Sequence, residues 1–423
     1  MSADIREMAV RAREAGKQLA LAPAPARAAA LEEIARRLEG IGEPLWEANR
    51  SDVTQASATG IPPALLDRAT LNPDRLNAMV SGCRSVAALP DPIGQVFDAS
   101  TRPNGLRMAK RRVPLGVMAV IFESRPNVTI EISSLGIKTA NSVILRGGKE
   151  SLHTNTILTE LVRGACRDGG LPEDAVQLVT STDRALVPEL LHMDDLIDIV
   201  IPRGRQQLQD LVREHARMPV VYGGIGVCHL YVDESADIGR SVAVITNAKI
   251  QAPSVCNALD TILVHREIAE VAIPPIVQDL IASGVTVRCD PTAMRLAESA
   301  GHSGEHLLAA TEDDFGREFL SLNLSIRVVE SIDQAIAHIA RYGTNHSDGI
   351  LTDSYTNASK FKDEVDSAVV YVNASTRFTD GGEMGLGAEV AISTQRMHAR
   401  GPLGLQELTT YKWIVEGDYH VRP

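Results

Sequence analysis

The stretch NAKIQAPSVCNALDTILVH, residues 247–265, sets one cysteine, Cys256, between a polar, proline-containing approach and an apolar strand-like run. A solitary cysteine is more often a small buried hydrophobe than a nucleophile. Here Pro253, Ser254 and Asn257 surround it, and the residues before it lack the apolar continuity of a core strand. A thiol at a loop–strand junction, with peptide N–H groups at hand, can ionise readily and attack a carbonyl carbon. Cys83, Cys166, Cys228 and Cys289 lie within or beside apolar or helical patterns and read as core.

Two further stretches could bind charge. LRGGKE, 145–150, follows a strand-like run and places Gly147 and Gly148 between Arg146 and Lys149. Backbone N–H groups and two cations would suit a phosphate, and in particular a ribose 2′-phosphate. An ordinary turn with solvated charges is the other reading. FESRPNVT, 122–129, ends another apolar run in polar residues. The carboxyl ends of parallel strands are where open α/β sheets bind ligands, and Asn127 or Thr129 would also serve as a helix N-cap. No G-x-G-x-x-G opens a βα unit, and GGIGV at 223–227 reads as a glycine turn before VCHLYV. The histidines are scattered, with no H-E-x-x-H and no second cluster of matching spacing, so no metal site is expected.

Composition narrows the classes. The chain has 423 residues, 44% hydrophobic and 23% charged, which suits a globular protein of two or three domains. A net charge of −12 and few aromatic residues argue against nucleic acid as a partner. An acidic protein can still hold a locally basic site for a small anion. No apolar run reaches a membrane span, and MSADIREMAVRAREAGKQLA is a charged amphipathic helix without the apolar segment of a signal peptide. Five cysteines at wide spacing, with no C-x-x-C, argue against a disulfide framework and for a reducing cytoplasm.

The elements that must position these residues are legible as alternation. Helical signals fill the chain to about residue 89, with Leu31, Ile34, Ala35 and Leu38 on one face after Pro23 and Pro25. A two-stranded ribbon is predicted over about 95–113, turning at RPNG. Strands at 117–122, 142–146, 175–180 and 196–201 then alternate with helices at 129–140, 150–167, 183–191 and 205–217. Repeated βα units imply a doubly wound parallel sheet. A second α/β segment follows, with strands LDTILVH, VTVR and AVVYVNAS and a helix opened by a capping box of Ser331 and Gln334. LTTYKWIVEGDY reads as a final strand.

The motifs VPLGVMAVIFESRPNVT, NSVILRGGKE, IPRG, NAKIQAPSVCNALDTILVH, YVNASTRFTDGGEMGLGAE and STQRMHARGPLGL span nearly the whole chain. In them the sequence resembles the aldehyde dehydrogenase superfamily and, within it, the gamma-glutamyl phosphate reductases, or glutamate-5-semialdehyde dehydrogenases. The resemblance implies an α/β, aldehyde-dehydrogenase-like fold: a Rossmann-type NADP-binding domain over 1–96 and 114–245, an α/β catalytic domain over 246–399, and a β oligomerisation ribbon over 97–113 with a C-terminal strand in 400–423. The site is expected between the first two. A homo-oligomer, dimer or tetramer, is implied, with a functional association with glutamate 5-kinase.

The resemblance also assigns roles. Cys256 becomes the nucleophile, with Asn127 and the Cys256 N–H as oxyanion donors. Ser124, Arg146, Gly147, Gly148, Lys149 and Glu318 fall to NADP(H), and Arg125, Arg377 and Glu389 to the substrate. The implied reaction is NADPH-dependent reduction of L-glutamate 5-phosphate to L-glutamate 5-semialdehyde and phosphate through a Cys256 thioester, in proline biosynthesis. Hydrolytic relatives carry a glutamate base before the cysteine, whereas VVYGGIGVCHLYV has no acid until Asp233. The chain departs from the usual pattern at Ala252, Asp260 and Arg205, where Arg, Glu and Gly are common, and in YGGIGVCH. Two alternatives stay open: an oxidising dehydrogenase for another semialdehyde, and a catalytically impaired oligomeric relative.

Overall fold

The computed structural model describes residues 5–422; residues 1–4, part of the expected N-terminal helix and domain, and residue 423 lie outside the description. The chain divides into two compact units. The first comprises 1–223, 385–391 and 403–423, the second 224–384 and 392–402. The change of unit falls at 223/224, not at the 245/246 boundary read from sequence. The strand at 228–232 pairs with strands of the second sheet, so 224–245 belongs with the second unit.

The first unit opens with five helices: α1 (Ile5–Leu19), α2 (Ala24–Glu39), α3 (Glu43–Ala58), α4 (Pro63–Ala69) and α5 (Pro73–Ala88). In α2, Pro23 stands at the N-cap and Pro25 in the first turn, where a missing N–H costs nothing. Leu31, Ile34, Ala35 and Leu38 are buried, as their spacing predicts. An antiparallel ribbon follows, β1 (Val96–Thr101) and β2 (Arg107–Pro114). The strand Thr409–Glu416 adds to the far edge of β2, pairing Thr409 with Pro114 and Glu416 with Arg107.

Four parallel strands form the centre of this unit: β3 (Val117–Phe122), β4 (Ser142–Arg146), β5 (Val176–Leu178) and β6 (Ile199–Arg203), in the order β5-β4-β3-β6. Between them run α6 (Asn127–Lys138), α7 (Leu152–Asp168) and α8 (Leu186–Leu191), and α9 (Gln206–His215) follows β6. Every residue of β3 is buried, as a parallel strand covered on both faces requires. Ile5, Met8, Ala9 and Ala12 of α1 pack with Val117, Ala119, Ile121 and Ile144 in one core.

The second unit is a seven-stranded parallel sheet. Its strands are β7 (Cys228–Val232), β8 (Leu259–His265), β9 (Thr286–Cys289), β10 (Leu307–Ala309), β11 (Asn323–Val329), β12 (Ser347–Leu351) and β13 (Val369–Val372), ordered β10-β9-β11-β8-β7-β12-β13. Helices α10 (Ile238–Ile250), α11 (Arg266–Ala282), α12 (Pro291–Ser299), α13 (Ile332–Tyr342) and α14 (Tyr355–Glu364) connect them. The capping box at α13 closes with a shift. The Ser331 hydroxyl accepts from Gln334 N–H at 3.3 Å, but the Gln334 side chain accepts from Glu330 N–H, one residue before the position the motif predicts.

Candidate active site

Cys256 sits in the turn between the end of α10 and the start of β8. It is half-buried, whereas Cys83, Cys166, Cys228 and Cys289 are buried. Burial pushes the Cys83 thiol up to about 11 and the Cys166 and Cys289 thiols up to about 12, and it raises Cys228 well above an ordinary thiol. These four are held protonated at neutral pH, because the desolvated thiolate is the costly form.

The turn is clamped on both sides of Cys256. Before β7, Gly226 lies so close that a Cβ there would stand 1.7 Å from the Cys256 carbonyl oxygen. Only glycine permits that approach of two backbones. The Cys228 thiol donates to the same carbonyl, with sulfur and oxygen 3.3 Å apart. On the other side, Asn257 Nδ2 donates to the Thr379 carbonyl at 2.8 Å, and the Thr376 hydroxyl donates to the Asn257 carbonyl at 2.7 Å. The Thr379 hydroxyl is in turn bonded to Ser347 Oγ and to the Tyr371 hydroxyl, both at 2.7 Å.

Two other residues singled out in the sequence come to this turn. Arg377, in the loop that holds Asn257, donates from Nε to Gln251 Oε1 at 2.6 Å, at the opening of the cysteine turn. Glu318 accepts from the Gly226 N–H at 3.0 Å, so it lies on the residue that packs against Cys256. Cys256, Arg377 and Glu318 thus share one neighbourhood in the second unit, although 121 residues separate Cys256 from Arg377 in the chain.

The first unit holds the remaining candidates. Ser124 follows the carboxyl end of β3 in a left-handed conformation, φ +44°. Its N–H and hydroxyl both donate to Glu150 Oε1, at 2.8 and 2.6 Å. Glu150 follows β4, the neighbour of β3, so its carboxylate ties two strand-end loops together. Gly147 and Gly148 lie close under side-chain ends: a Cβ would stand 2.3 Å from Asn155 Nδ2 at the first and 2.1 Å from Glu150 Oε1 at the second, and those groups would have to move. Arg146 donates to the Gly147 carbonyl at 2.9 Å, and burial lowers its guanidinium below the usual arginine value. Its Nε, Asn155 Nδ2 and the hydroxyls of Ser151 and Thr159 are buried without a hydrogen-bond partner among the described residues. Lys149 is exposed. Unpartnered donors following Arg146 and Lys149 are of the chemistry a phosphorylated nucleotide would need.

Asn127 is the first residue of α6, and Pro126 takes the N-cap position expected of Asn127 or Thr129. Proline at φ −57° already sets the helical course, so Asn127 turns its amide one helical turn onward and donates to Glu131 Oε1 at 2.6 Å. The Thr129 hydroxyl donates to Asn155 Oδ1 at 3.1 Å. Arg125 is half-buried in the same loop. Glu389 is half-buried in the segment 385–391, where Gly385 and Gly387 adopt φ +75° and +76°. Arg205 places its N–H and Nε against Glu123 Oε2 at 3.1 and 3.4 Å, with an ordinary φ of −68°, so nothing in the backbone there demands glycine. Among the described residues no group of three or more His, Cys, Asp or Glu side chains could hold a metal ion. None of the described helices is long and apolar enough to cross a membrane.

Reading the sequence alone missed Gly226, Asn257, Cys228 and Glu150 as site-building residues. Gly226 had a signal, the unexplained glycines of GGIGV. Asn257 and Glu150 lie in stretches the sequence singles out, but their partners, Thr379 and Ser124, are not adjacent in the chain.

Comparison with known proteins places these observations. The aldehyde dehydrogenase family model matches residues 1–291. A gamma-glutamyl phosphate reductase from Roseiflexus castenholzii is 52% identical over 421 residues, covering 99% of each chain. One from Salmonella enteritidis is 51% identical over 99% of this chain and 100% of its own length. The crystal structure of gamma-glutamyl phosphate reductase from Thermotoga maritima superposes with a TM-score of 0.95 at 45% identity, covering 99% of this chain and 100% of that one.

Proposed function

The chain belongs to the aldehyde dehydrogenase family and, within it, to the gamma-glutamyl phosphate reductases, and we propose that it reduces L-glutamate 5-phosphate to L-glutamate 5-semialdehyde with NADPH, in proline biosynthesis. The observation that carries the chemistry is the Cys256 turn: the one thiol of five that is not buried, on a backbone held from both sides.

The Cys256 thiolate attacks the acyl carbon. A sulfur–carbon bond forms, the carbon–oxygen bond to phosphate breaks, and phosphate leaves with the electron pair. The Cys256 N–H and the Asn127 amide are the proposed donors to the oxyanion. Bound NADPH supplies the hydride that turns the thioester to the aldehyde level. The Cys256 thiolate is then the leaving group that frees the semialdehyde. Arg146, Lys149, Gly147, Gly148 and Ser124 are the residues proposed to hold the cofactor, and Glu318 its nicotinamide ribose. Arg377 and Arg125 are assigned to anionic ends of the substrate and Glu389 to its ammonium group. No carboxylate in VVYGGIGVCHLYV would activate water against the thioester, which suits exchange with phosphate over hydrolysis.

The ribbon of β1, β2 and Thr409–Glu416 is the proposed surface for self-association. Val96, Tyr411, Trp413 and Val415 are exposed on it, and an open apolar strand face favours pairing with another copy. An unstable acyl phosphate also favours association with the glutamate 5-kinase that makes it. A reducing cytoplasm suits five free cysteines.

The test is reduction of NADP by L-glutamate 5-semialdehyde, measured with and without phosphate. The proposal expects turnover that requires phosphate and falls to background in Cys256→Ser, whose hydroxyl scarcely ionises. Turnover that ignores phosphate would favour the oxidising dehydrogenase, and none in the wild type would favour the impaired relative.

A further inference from the structure

Lys249 lies in the last turn of α10 and Asp260 is the second residue of β8, one on each side of the cysteine turn. Both side chains are buried, at 0% and 2% exposure, with Nζ 3.4 Å from Asp260 Oδ1. Burial raises the Asp260 carboxyl to about 6 despite the lysine, and it lowers Lys249. Desolvation thus outweighs the attraction on both partners. Such a pair is a poor way to stabilise a core, since well-packed apolar residues usually do as well or better. What it holds is then the question.

The same Asp260 oxygen accepts the Phe319 N–H at 3.1 Å. Phe319 lies in the segment 317–322, which has no regular secondary structure and must find partners for its backbone outside any ladder. The Phe319 ring centroid is 5.8 Å from Lys249 Nζ, within cation–π range. Both members of the pair therefore grip one residue, by its N–H and by its ring. The residue before it is Glu318, whose carboxylate accepts from Gly226 N–H beside Cys256.

We infer that Lys249 and Asp260 are positioning residues that fix the 317–322 segment and so aim Glu318 at the nicotinamide ribose. The inference rests on the proposed role of Glu318. Neither Lys249 nor Asp260 touches substrate or cofactor in it; each acts through Phe319. Asp260 is one methylene shorter than the glutamate the sequence resemblance leads one to expect, so the segment is set by that shorter reach.

The test uses the full-length enzyme and three variants. Glu318→Gln reports on the ribose role itself. Lys249→Met with Asp260→Leu removes both charges together, which avoids leaving one buried ion alone. Asp260→Glu keeps both charges and moves the anchor. KM for NADPH, kcat at saturating cofactor, melting temperature and the rate of Cys256 alkylation are measured for each. The expected result is a KM for NADPH raised about tenfold in Glu318→Gln and in the double variant, as loss of a charge-assisted hydrogen bond implies. Asp260→Glu should show a smaller rise of the same kind. In the double variant and in Asp260→Glu, kcat should change less than about threefold and alkylation should not change, since uniform binding alone is lost. A raised KM in Glu318→Gln with an unchanged KM in the double variant overturns the inference and leaves the ribose role standing. An unchanged KM in Glu318→Gln overturns the ribose role and the inference with it. Should the double variant fail to fold, Asp260→Glu decides by the same criterion.

Discussion

The strand-end loops of the first unit and the cysteine turn of the second divide the work of a site differently. From Arg146 to Thr159 the buried side-chain atoms left without a partner among the described residues are donors or hydroxyls: Arg146 Nε, Asn155 Nδ2, Ser151 Oγ and Thr159 Oγ1. Around Cys256 the Cys256 and Asn257 carbonyls and the Asn257 side-chain N–H are engaged, and an unpartnered side-chain atom of the turn is an acceptor, Asn257 Oδ1. A buried donor without a partner costs about 1–3 kcal/mol, which a bound anion can return. A nucleophile gains from the opposite condition, because an attacking atom misplaced by an ångström can cost about a hundredfold in rate. In the proposed reading one loop is completed by its ligand, and the other holds its nucleophile on a backbone fixed beforehand.

The contrast is broken most directly at Gly226. Gly226→Ala puts a methyl group against the Cys256 carbonyl, where the nearest atoms are all Cys256 backbone and cannot swing away. We expect a loss of about 2–3 kcal/mol in urea unfolding, the upper range for overpacking, and a fall in kcat of about a hundredfold. Near-wild-type kcat would mean the turn is not preset. On the other side, Arg146→Ala with Lys149→Ala should weaken NADP binding about ten- to a hundredfold and NAD binding much less, because only NADP carries the 2′-phosphate. Calorimetric titration of both cofactors measures this, and equal losses would move the phosphate elsewhere.

Glu389→Ala should lower kcat/KM for glutamate semialdehyde about tenfold, with little change for a semialdehyde lacking the amino group. A parallel drop on both substrates would make Glu389 structural. The smallest effect is expected from the buried thiols. Cys83→Ala, Cys166→Ala and Cys289→Ala should each leave turnover within about twofold. At pH 8 a thiol raised to about 11 is ionised only at about the 0.1% level, so iodoacetamide should reach these three slowly. Their labelling should rise towards pH 11–12, and peptide mapping that finds them modified before Cys256 would contradict the picture.

Much of this was written locally in the chain. VMAVIF reads as a buried strand because it is apolar at every position, and 117–122 is that strand. The pair of glycines after SVILR and the cysteine before LDTILVH announce themselves by type and place, and both loops lie where the pattern put them. The change of unit was hidden, because β7 continues the βα alternation in sequence while pairing in a different sheet. The clamps were hidden for a related reason. Gly226 meets Cys256, Asp260 meets Phe319, and Asn257 meets Thr379, which is 122 residues away. Contacts of that range leave no period to detect. At Pro126 a local rule misled, since proline took the capping place that the asparagine seemed to claim.

The pairing of β2 with Thr409–Glu416 joins residues nearly 300 positions apart, as Arg112 and Thr409 are, at 297. A ribosome adding ~5–20 residues per second delivers the second of these strands ~15–60 s after the first. For that interval one edge of β2 stands open beside a nascent chain, and an open edge invites pairing with the wrong neighbour. The strand reads RMAKRRVP, four cations in eight residues. Like charges repel a second copy of the same edge, so the composition of β2 guards the chain until its own C-terminal strand arrives to close it.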